Sequence, residues 1–594
     1  MQSRINALRK LMKKNKIQAY LVPSTDSHLS EYLPVMWERR KWLSGFTGSA
    51  GDLVLTLKSA GLWTDSRYYL QAENELKGSG IQLFKIGLPE TPAIQEWLKS
   101  QLNTGDHLGI DPKLISYQEA EKFKEYFLPL KIDFKPIEEN LVDQIWKDKP
   151  EFPSSPIQVH SIKYAGESVK DKIGHLREQM RAENVYAHIL TTLDAIAWLF
   201  NVRGQDVDYN PVVISYAIIT KKKAYLFTQL NKITKEVKKH FGSLVKYYDY
   251  LDFRKHLTKL VKYKEKVWLD PHTVNWWIVN ILEKKCELFF KESPITREKA
   301  IKNEKEIEGF KACHIRDGVA MVKFLYWLEK IVEIDEVSEI SASEKLEQFR
   351  SEQDFYQGPS FHPISAFAEH GAIVHYTSTP ETDVRLQKPG IYLIDSGGQY
   401  LDGTTDITRT IALGEPTKEQ KDRFTRILKG HIQLAMGRFP RGTAGNQLDT
   451  IARKPLWDIG LNYGHGTGHG IGAYLNVHEG PHAISFYRGI GVPLERGMIL
   501  SNEPGFYQAG EYGMRVENLI LTIMDDKYSD DEKEFYTFET ITLCPIDLKL
   551  IDKTLLDDIE INWLNKYHQR VRNAISPYLK DAELEWLKEA TKAI

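Results

Sequence analysis

Five side chains in the last two fifths of this 594-residue sequence could together bind metal: Asp395, Asp406, His469, Glu503 and Glu517. Four carboxylates and one imidazole make a set of hard oxygen donors with a single nitrogen. Such a set suits Mn²⁺, Co²⁺ or Zn²⁺ better than a soft ion, and four carboxylates are enough to bridge two ions. Carboxylates held a few ångströms apart repel, and a cation is the natural compensator. Asp395 alone, after a strand, would read as a turn or a helix cap. Its company argues for a metal-dependent hydrolase instead.

The elements that must position these residues are legible around them. Lys388-Pro389-Gly390 is a turn, and 391–394 is a short apolar strand ending on Asp395. A second strand over 404–413 carries Asp406 within an alternating pattern, so a hairpin can bring the two carboxylates together. The run Gly464-His465-Gly466-Thr467-Gly468-His469-Gly470-Ile471-Gly472 sets two histidines among five glycines, which permit close backbone approach. It is no phosphate loop, because no Gly-Lys-Ser/Thr follows. Pro504 biases Glu503 toward extended backbone at the end of the strand that starts near Met498. A strand over 514–518 places Arg515 and Glu517 on one face by its period of two.

His478-Glu479-Gly480-Pro481-His482 matches the His-Glu-x-x-His pattern of zinc proteases, which needs a continuous helix. Pro481 inside that turn would cost about 3 kcal/mol, and Gly480 about 1 more. The helical zinc reading is rejected. His478 stays an active-site candidate.

Length implies three or four domains. A net charge of -2, from 79 basic and 81 acidic residues, argues against a dedicated nucleic-acid binder. Three widely spaced cysteines, Cys286, Cys313 and Cys544, form neither a disulfide framework nor a cysteine zinc site. The N-terminus is a basic amphipathic helix without the features of a secretory signal, and no apolar run is long enough to span a bilayer. The expected location is the cytoplasm, with no membrane partner.

An internal duplication shows in the first half. Leu8, Met12, Ile17, Ala19 and Asp26 align at constant offset with Leu176, Met180, Val185, Ala187 and Asp194, and Trp42 and Gly48 echo Trp198 and Gly204. Each copy reads as helix, apolar strand (19–22; 187–190), Trp-bearing helix, then further strands (52–57; 224–227). The fold class is therefore α/β (α+β). Residues 1–150 form one α/β domain and 151–297 a related second, separated by the Pro-rich stretch near Lys149-Pro150. A third domain spans 298–548, opened by a helix capped at Asn303 with Glu306 three residues on, and a helical extension follows over 549–594.

These residues carry a resemblance. The stretch 375–517 resembles the pita-bread metallopeptidases, and Asn140 to Trp146, Asp194 to Gly204, the glycine-histidine run and Trp563-Leu564-Asn565 are similar to the long, three-domain Xaa-Pro aminopeptidase branch. All five ligand positions hold the family's residue types. The resemblance implies two creatinase N-terminal-like domains before a pita-bread catalytic domain. It implies two divalent ions, manganese first, with cobalt or zinc open. Asp395 would hold one ion, Asp406 and Glu517 would bridge, and His469 and Glu503 would complete the other. The pair would activate a bridging hydroxide. Glu503 would be general base, His478 the oxyanion donor, His375 and His465 would line the substrate site, and Arg515 would orient Glu517. Substrates would be peptides with proline second, and the assembly a homodimer.

Other readings stay open at this point. A prolidase would cleave only Xaa-Pro dipeptides, and a non-catalytic pita-bread module would have lost ligands. A phosphoester hydrolase would want a basic cradle, and none is visible beside these five residues.

Overall fold

The computed structural model describes residues 1–594 except 262, 333 and 335. The chain divides into two compact units: Met1–Ser161 with Glu167–Thr296, and Ile162–Gly166 with Arg297–Ile594.

The first unit contains two copies of one topology. The first copy is a six-stranded sheet in the spatial order Gln82–Lys85, Ala60–Thr64, Asp52–Thr56, Ala19–Val22, His107–Ile110, Asp133–Pro136. The second repeats it with Val245–Tyr248, Ala224–Phe227, Tyr216–Thr220, Ala187–Leu190, Lys266–Leu269 and Glu287–Phe290. Parallel and antiparallel pairings occur at the same places in both. The aligned apolar residues explain why both copies fold alike. Leu8, Met12, Ile17 and Ala19, like Leu176, Met180, Val185 and Ala187, are all fully buried. In each copy the amphipathic helix, Gln2–Lys14 or Val169–Ala182, lays its apolar stripe against the sheet.

The copies also meet symmetrically. Tyr117 N–H donates to the Val274 carbonyl (2.9 Å) and Trp276 N–H to Ile115 (3.0 Å). Gln118 N–H donates to Pro271 and Trp277 N–H to Pro112, each at 3.0 Å. Exchanging the repeats turns each bond into its partner, with the Ser116–Asn275 bridge at the centre.

The second unit opens with helix Glu304–Ile331, capped by Asn303 and Glu306 as the capping-box pattern implies. Three antiparallel strands, Ile364–Phe367, Gly390–Ser396 and Ile407–Leu413, form one sheet. A six-stranded sheet runs Arg438–Pro440, Phe535–Thr540, Asn518–Met524, Ile499–Asn502, Gly468–Gly470, Glu479–Ile484. The hairpin of Gly505–Gln508 and Tyr512–Arg515 completes the frame. Helices Lys418–Ala435 and Asp558–Ile575 bury Phe424, Ile427, Leu428, Leu564, Val571 and Ile575 in one core with Met514 and Val516. The C-terminal extension is thus part of the catalytic unit's core. Among the described residues no helix is long and apolar enough to cross a membrane.

Two expectations about strands need correction. Asp406 does not lie inside a continuous 404–413 strand; it sits in the break between Gly403–Thr404 and Ile407–Leu413. Likewise 514–518 is two strands, Tyr512–Arg515 and Asn518–Met524, with Glu517 in the bend between them. The breaks turn each carboxylate out of its ladder, which alternation in sequence does not reveal.

Candidate active site

The glycine-histidine run becomes the short strand Gly468–Gly470, squeezed between Ile499–Asn502 and Glu479–Ile484. A Cβ on Gly468 would stand 2.0 Å from the Ser501 carbonyl, and one on Gly470 2.3 Å from that of Glu479. Only glycine lets these strands approach, and His469 is carried between them. Its Nδ1 lies 3.0 Å from the Gly470 carbonyl. A carbonyl can only accept, so Nδ1 bears the proton and Nε2 is the atom that faces the carboxylates. Nε2 stands 3.4 Å from Asp406 Oδ2 and 3.5 Å from Glu503 Oε1. One donor atom each from Asp406, His469 and Glu517 lies within 4.8 Å of the others, a spacing that could hold a metal ion.

Asp395 enters from the neighbouring sheet, where its register partner is Thr408. Its Oδ2 accepts from Arg515 Nη2 at 2.5 Å. The Thr408 hydroxyl donates to Glu517 Oε2 (2.8 Å) and accepts from Arg515 Nε (3.0 Å). Arg515 therefore pairs with Asp395 and reaches Glu517 through the Thr408 hydroxyl. Glu503 Oε1 accepts from the Ser501 hydroxyl at 3.2 Å, and the same hydroxyl receives His469 N–H at 3.0 Å.

Electrostatics make the case for a cation. Asp395 Oδ1 and Glu517 Oε1 are buried without a hydrogen-bond partner. An orphaned buried charge of this kind costs about 1–3 kcal/mol or more. Burial, then the charge of Asp395, pushes Asp406 well above the usual carboxylate range. Burial raises Glu503 as well, against the pull of His469 and Arg515. Glu517 is raised by burial and then by Asp406, Glu503 and Asp395. Four converging carboxylates with one arginine and two orphaned oxygens fit divalent metal.

The histidines divide by their surroundings. The His478 ring stands edge-on to His469 with centroids 4.4 Å apart. His465 Nε2 is 2.9 Å from the Tyr507 hydroxyl, which also accepts from Arg515 Nη1. His375 is half-buried at the end of a segment that includes the short helix Ala368–Ala372. Residues 479–482 lie in the strand Glu479–Ile484, so His478 and His482 are not one helical turn apart. His482 is buried and its Nε2 lies 3.1 Å from the Ile499 carbonyl.

Thr408, Ser501 and Tyr507 were missed in the sequence. Thr408 had a signal, since Asp406, Thr408 and Thr410 recur at the period of two that marks one strand face. Ser501 and Tyr507 had none.

Known proteins place this geometry. Creatinase/prolidase N-terminal domains match residues 4–145 and 148–306, metallopeptidase family M24 matches 308–523, and the C-terminal region of peptidase M24 matches 534–594. A probable Xaa-Pro aminopeptidase P of Coprinopsis cinerea is 42% identical over 99% of this chain and 97% of its own. The chain belongs to the aminopeptidase P family. Aminopeptidase P1 of Lotus japonicus is 40% identical with both chains fully covered. The structure of X-prolyl aminopeptidase from Caenorhabditis elegans, described as a cytosolic enzyme with a di-nuclear active site, superposes with a TM-score of 0.95 at 36% identity, covering 100% of this chain and 99% of that one. An Xaa-Pro dipeptidase from Bacillus anthracis covers 64% of this chain at 24% identity and a TM-score of 0.51, which shows the shared fold alone. Two creatinase-type domains followed by a pita-bread catalytic domain are thus the architecture here, as in the aminopeptidase P family.

Proposed function

We infer that this chain is a metal-dependent aminopeptidase that hydrolyses the bond between an N-terminal residue and a following proline. The observation that carries this is the convergence of Asp406, His469 and Glu517 donors within 4.8 Å, in a chain similar to aminopeptidases P over its whole length. That full-length similarity favours an aminopeptidase over a prolidase, whose likeness here is one of fold.

Asp395, Asp406, His469, Glu503 and Glu517 would hold two divalent ions, and manganese is the metal proposed, on the hardness of the donor set. When bound, the ions supply Lewis acidity and lower the pKa of the attacking water. Glu503 takes that water's proton and returns it to the proline nitrogen, which leaves as a secondary amine. His478, against His469, donates to the carbonyl oxygen as it becomes anionic. Arg515 holds Asp395, and Tyr507 ties the same guanidinium to His465. His465 and His375 line the substrate side. An imide nitrogen before proline has no N–H to offer an ordinary peptidase, so recognition must come from such a shaped pocket.

Further parts of the reading are proposed with it. The division is proposed as 1–150, 151–297, 298–548 and 549–594; family matches over 4–145, 148–306 and 308–523 support the first three parts, while the last match, 534–594, begins ahead of 549. A homodimer is supported by an apolar patch on the catalytic unit, where Trp457 stacks on Phe486 (6.0 Å) beside Tyr487 and Ile490, which are 71% and 64% exposed. Ile490→Asp should then shift sedimentation toward the monomer. A cytoplasmic location is supported by three free cysteines and by the cytosolic relative.

Metal-free protein reloaded with Mn²⁺, Co²⁺ or Zn²⁺ should cleave Xaa-Pro-Yaa peptides and leave Xaa-Ala-Yaa intact. Equal cleavage of the alanine series overturns the proline preference. Cleavage confined to Xaa-Pro dipeptides makes the enzyme a prolidase.

A further inference from the structure

Glu339, the first residue of helix Glu339–Ser351, has a fully buried side chain and gathers donors from one short segment. Its Oε1 accepts from Phe367 N–H at 2.7 Å and lies 2.9 Å from His370 Nδ1. Its Oε2 lies 3.1 Å from the same Nδ1 and accepts from the Tyr376 hydroxyl at 3.0 Å. The His370 and Tyr376 rings stack with centroids 4.4 Å apart. Even the Glu339 carbonyl is used, accepting from the Ser365 hydroxyl at 2.6 Å. The segment 367–376 is thus tied at its start, middle and end to one carboxylate. Its outer side is pinned too. A Cβ on Gly513 would stand 1.7 Å from the Gly371 carbonyl, so the segment lies backbone to backbone on the strand Tyr512–Arg515. That strand ends on the arginine that pairs with Asp395. His375 is the residue immediately before the last tie.

We propose that Glu339 and Tyr376 are positioning residues that hold His375 toward the substrate, and that His370 makes this hold depend on pH. The proposal rests on the reading of His375 as a substrate-site residue. A buried carboxylate is a poor choice for mere packing, because it is costly unless each oxygen is satisfied. Here the satisfying groups all come from the segment that presents His375. Protonated His370 forms a charge-assisted bond with Glu339, and neutral His370 can offer only an ordinary one. The groups facing His370 are Glu339 from the helix, Asp383 from the segment before Gly390–Ser396, Glu369 beside it and the Tyr376 ring. The Glu339 hydrogen bond raises the imidazole above its usual range, burial opposes this, and the Glu339, Glu369 and Asp383 charges add to it. The hold is therefore firm below the raised value and loosens as pH rises through it.

The test uses metal-loaded full-length enzyme, an Xaa-Pro-Yaa peptide and pH from about 5.5 to about 9. Tyr376→Phe should raise KM about five-fold with kcat nearly unchanged, the effect of about 1 kcal/mol of lost hydrogen bonding. His370→Gln keeps a donor but cannot titrate, so it should remove the rise of KM at high pH that the parent shows. Glu339→Gln should raise KM at every pH, with melting temperature followed alongside. In a double-mutant cycle His370→Gln and His375→Ala should be non-additive in KM. A parent KM flat with pH, or full additivity with His375→Ala, overturns the proposal. If His375→Ala alone leaves KM unchanged, the reading of His375 fails, and the proposal with it. Because Tyr376→Phe alters no buried charge, it keeps the test open should Glu339→Gln or His370→Gln fail to fold.

Discussion

Arg515 donates to Asp395 at 2.5 Å, while the Thr408 hydroxyl stands between that guanidinium and Glu517. One arginine and one threonine thereby hold two carboxylates, one on a strand and one in a bend between strands, at fixed separation. The arginine neutralises one charge of four, and the threonine fixes one oxygen of Glu517 and leaves the other, Oε1, without a partner.

Thr408→Val keeps the shape of the side chain and removes both hydrogen bonds. Metal affinity, measured by competition with a chelator, should fall by about 10-fold or more, the scale seen when a ligand's orienting partner is lost. Unchanged affinity would mean that Glu517 is held without Thr408.

Arg515→Gln should cost more, because it uncovers Asp395 and breaks the link through Tyr507 to His465. A loss of kcat/KM of about 100-fold is expected, together with weaker metal binding. Arg515→Lys should rescue little, since one ammonium cannot meet Asp395, Thr408 and Tyr507 with the guanidinium's fork.

Glu503→Gln should lower kcat by at least about 10²-fold, the usual worth of a positioned proton-transfer group, with a much smaller change in KM. Residual turnover close to the parent would remove Glu503 from its assigned role.

Loading the metal should stabilise the catalytic unit, because only the folded chain presents the full donor set. With free ion at 100 times its dissociation constant the gain is about 2.7 kcal/mol, read as a rise in melting temperature that chelator reverses.

Acid should destabilise both units through buried neutral histidines. Burial lowers His188 to about 4, against a bond to the Trp268 carbonyl, and lowers His568 to about 3, helped by Arg409 and Arg572. Unfolded imidazoles titrate near ~6.5. Both folded values lie below this, so the stability these groups contribute is complete above ~6.5 and is lost as pH falls toward the folded values. Each contributes a slope of up to about 1.4 kcal/mol per pH unit in that window. His568 accepts Ile546 N–H at 3.1 Å, a bond glutamine can imitate. His568→Gln should accordingly show a smaller drop in melting temperature between pH 7 and about pH 5 than the parent.

Much of this protein was open to reading in one dimension. The duplication was legible because burial is periodic: Leu8, Met12 and their counterparts Leu176 and Met180 repeat the same stripe facing the same sheet. The rejection of a helical zinc motif at 478–482 followed from the backbone limits of Gly480 and Pro481, and those residues lie in extended strand. The donor types at Asp395, Asp406, His469, Glu503 and Glu517 were likewise visible, because metal preference depends on the atoms offered and not on the path between them.

Only the tertiary structure decided which groups meet. Asp395 and Arg515 are 120 positions apart in the chain, and their pairing depends on how a hairpin strand packs over a three-stranded sheet. The same packing bends the chain at Asp406 and at Glu517, turning side chains that alternation would keep in the ladder toward a common centre. Glu339 and His370 show this most plainly, for nothing local links a helix's first residue to a histidine 31 positions later. Periodicity and residue type are properties of short stretches and survive in sequence. Convergence is set by long-range contacts, which appear only when the sheets close around them.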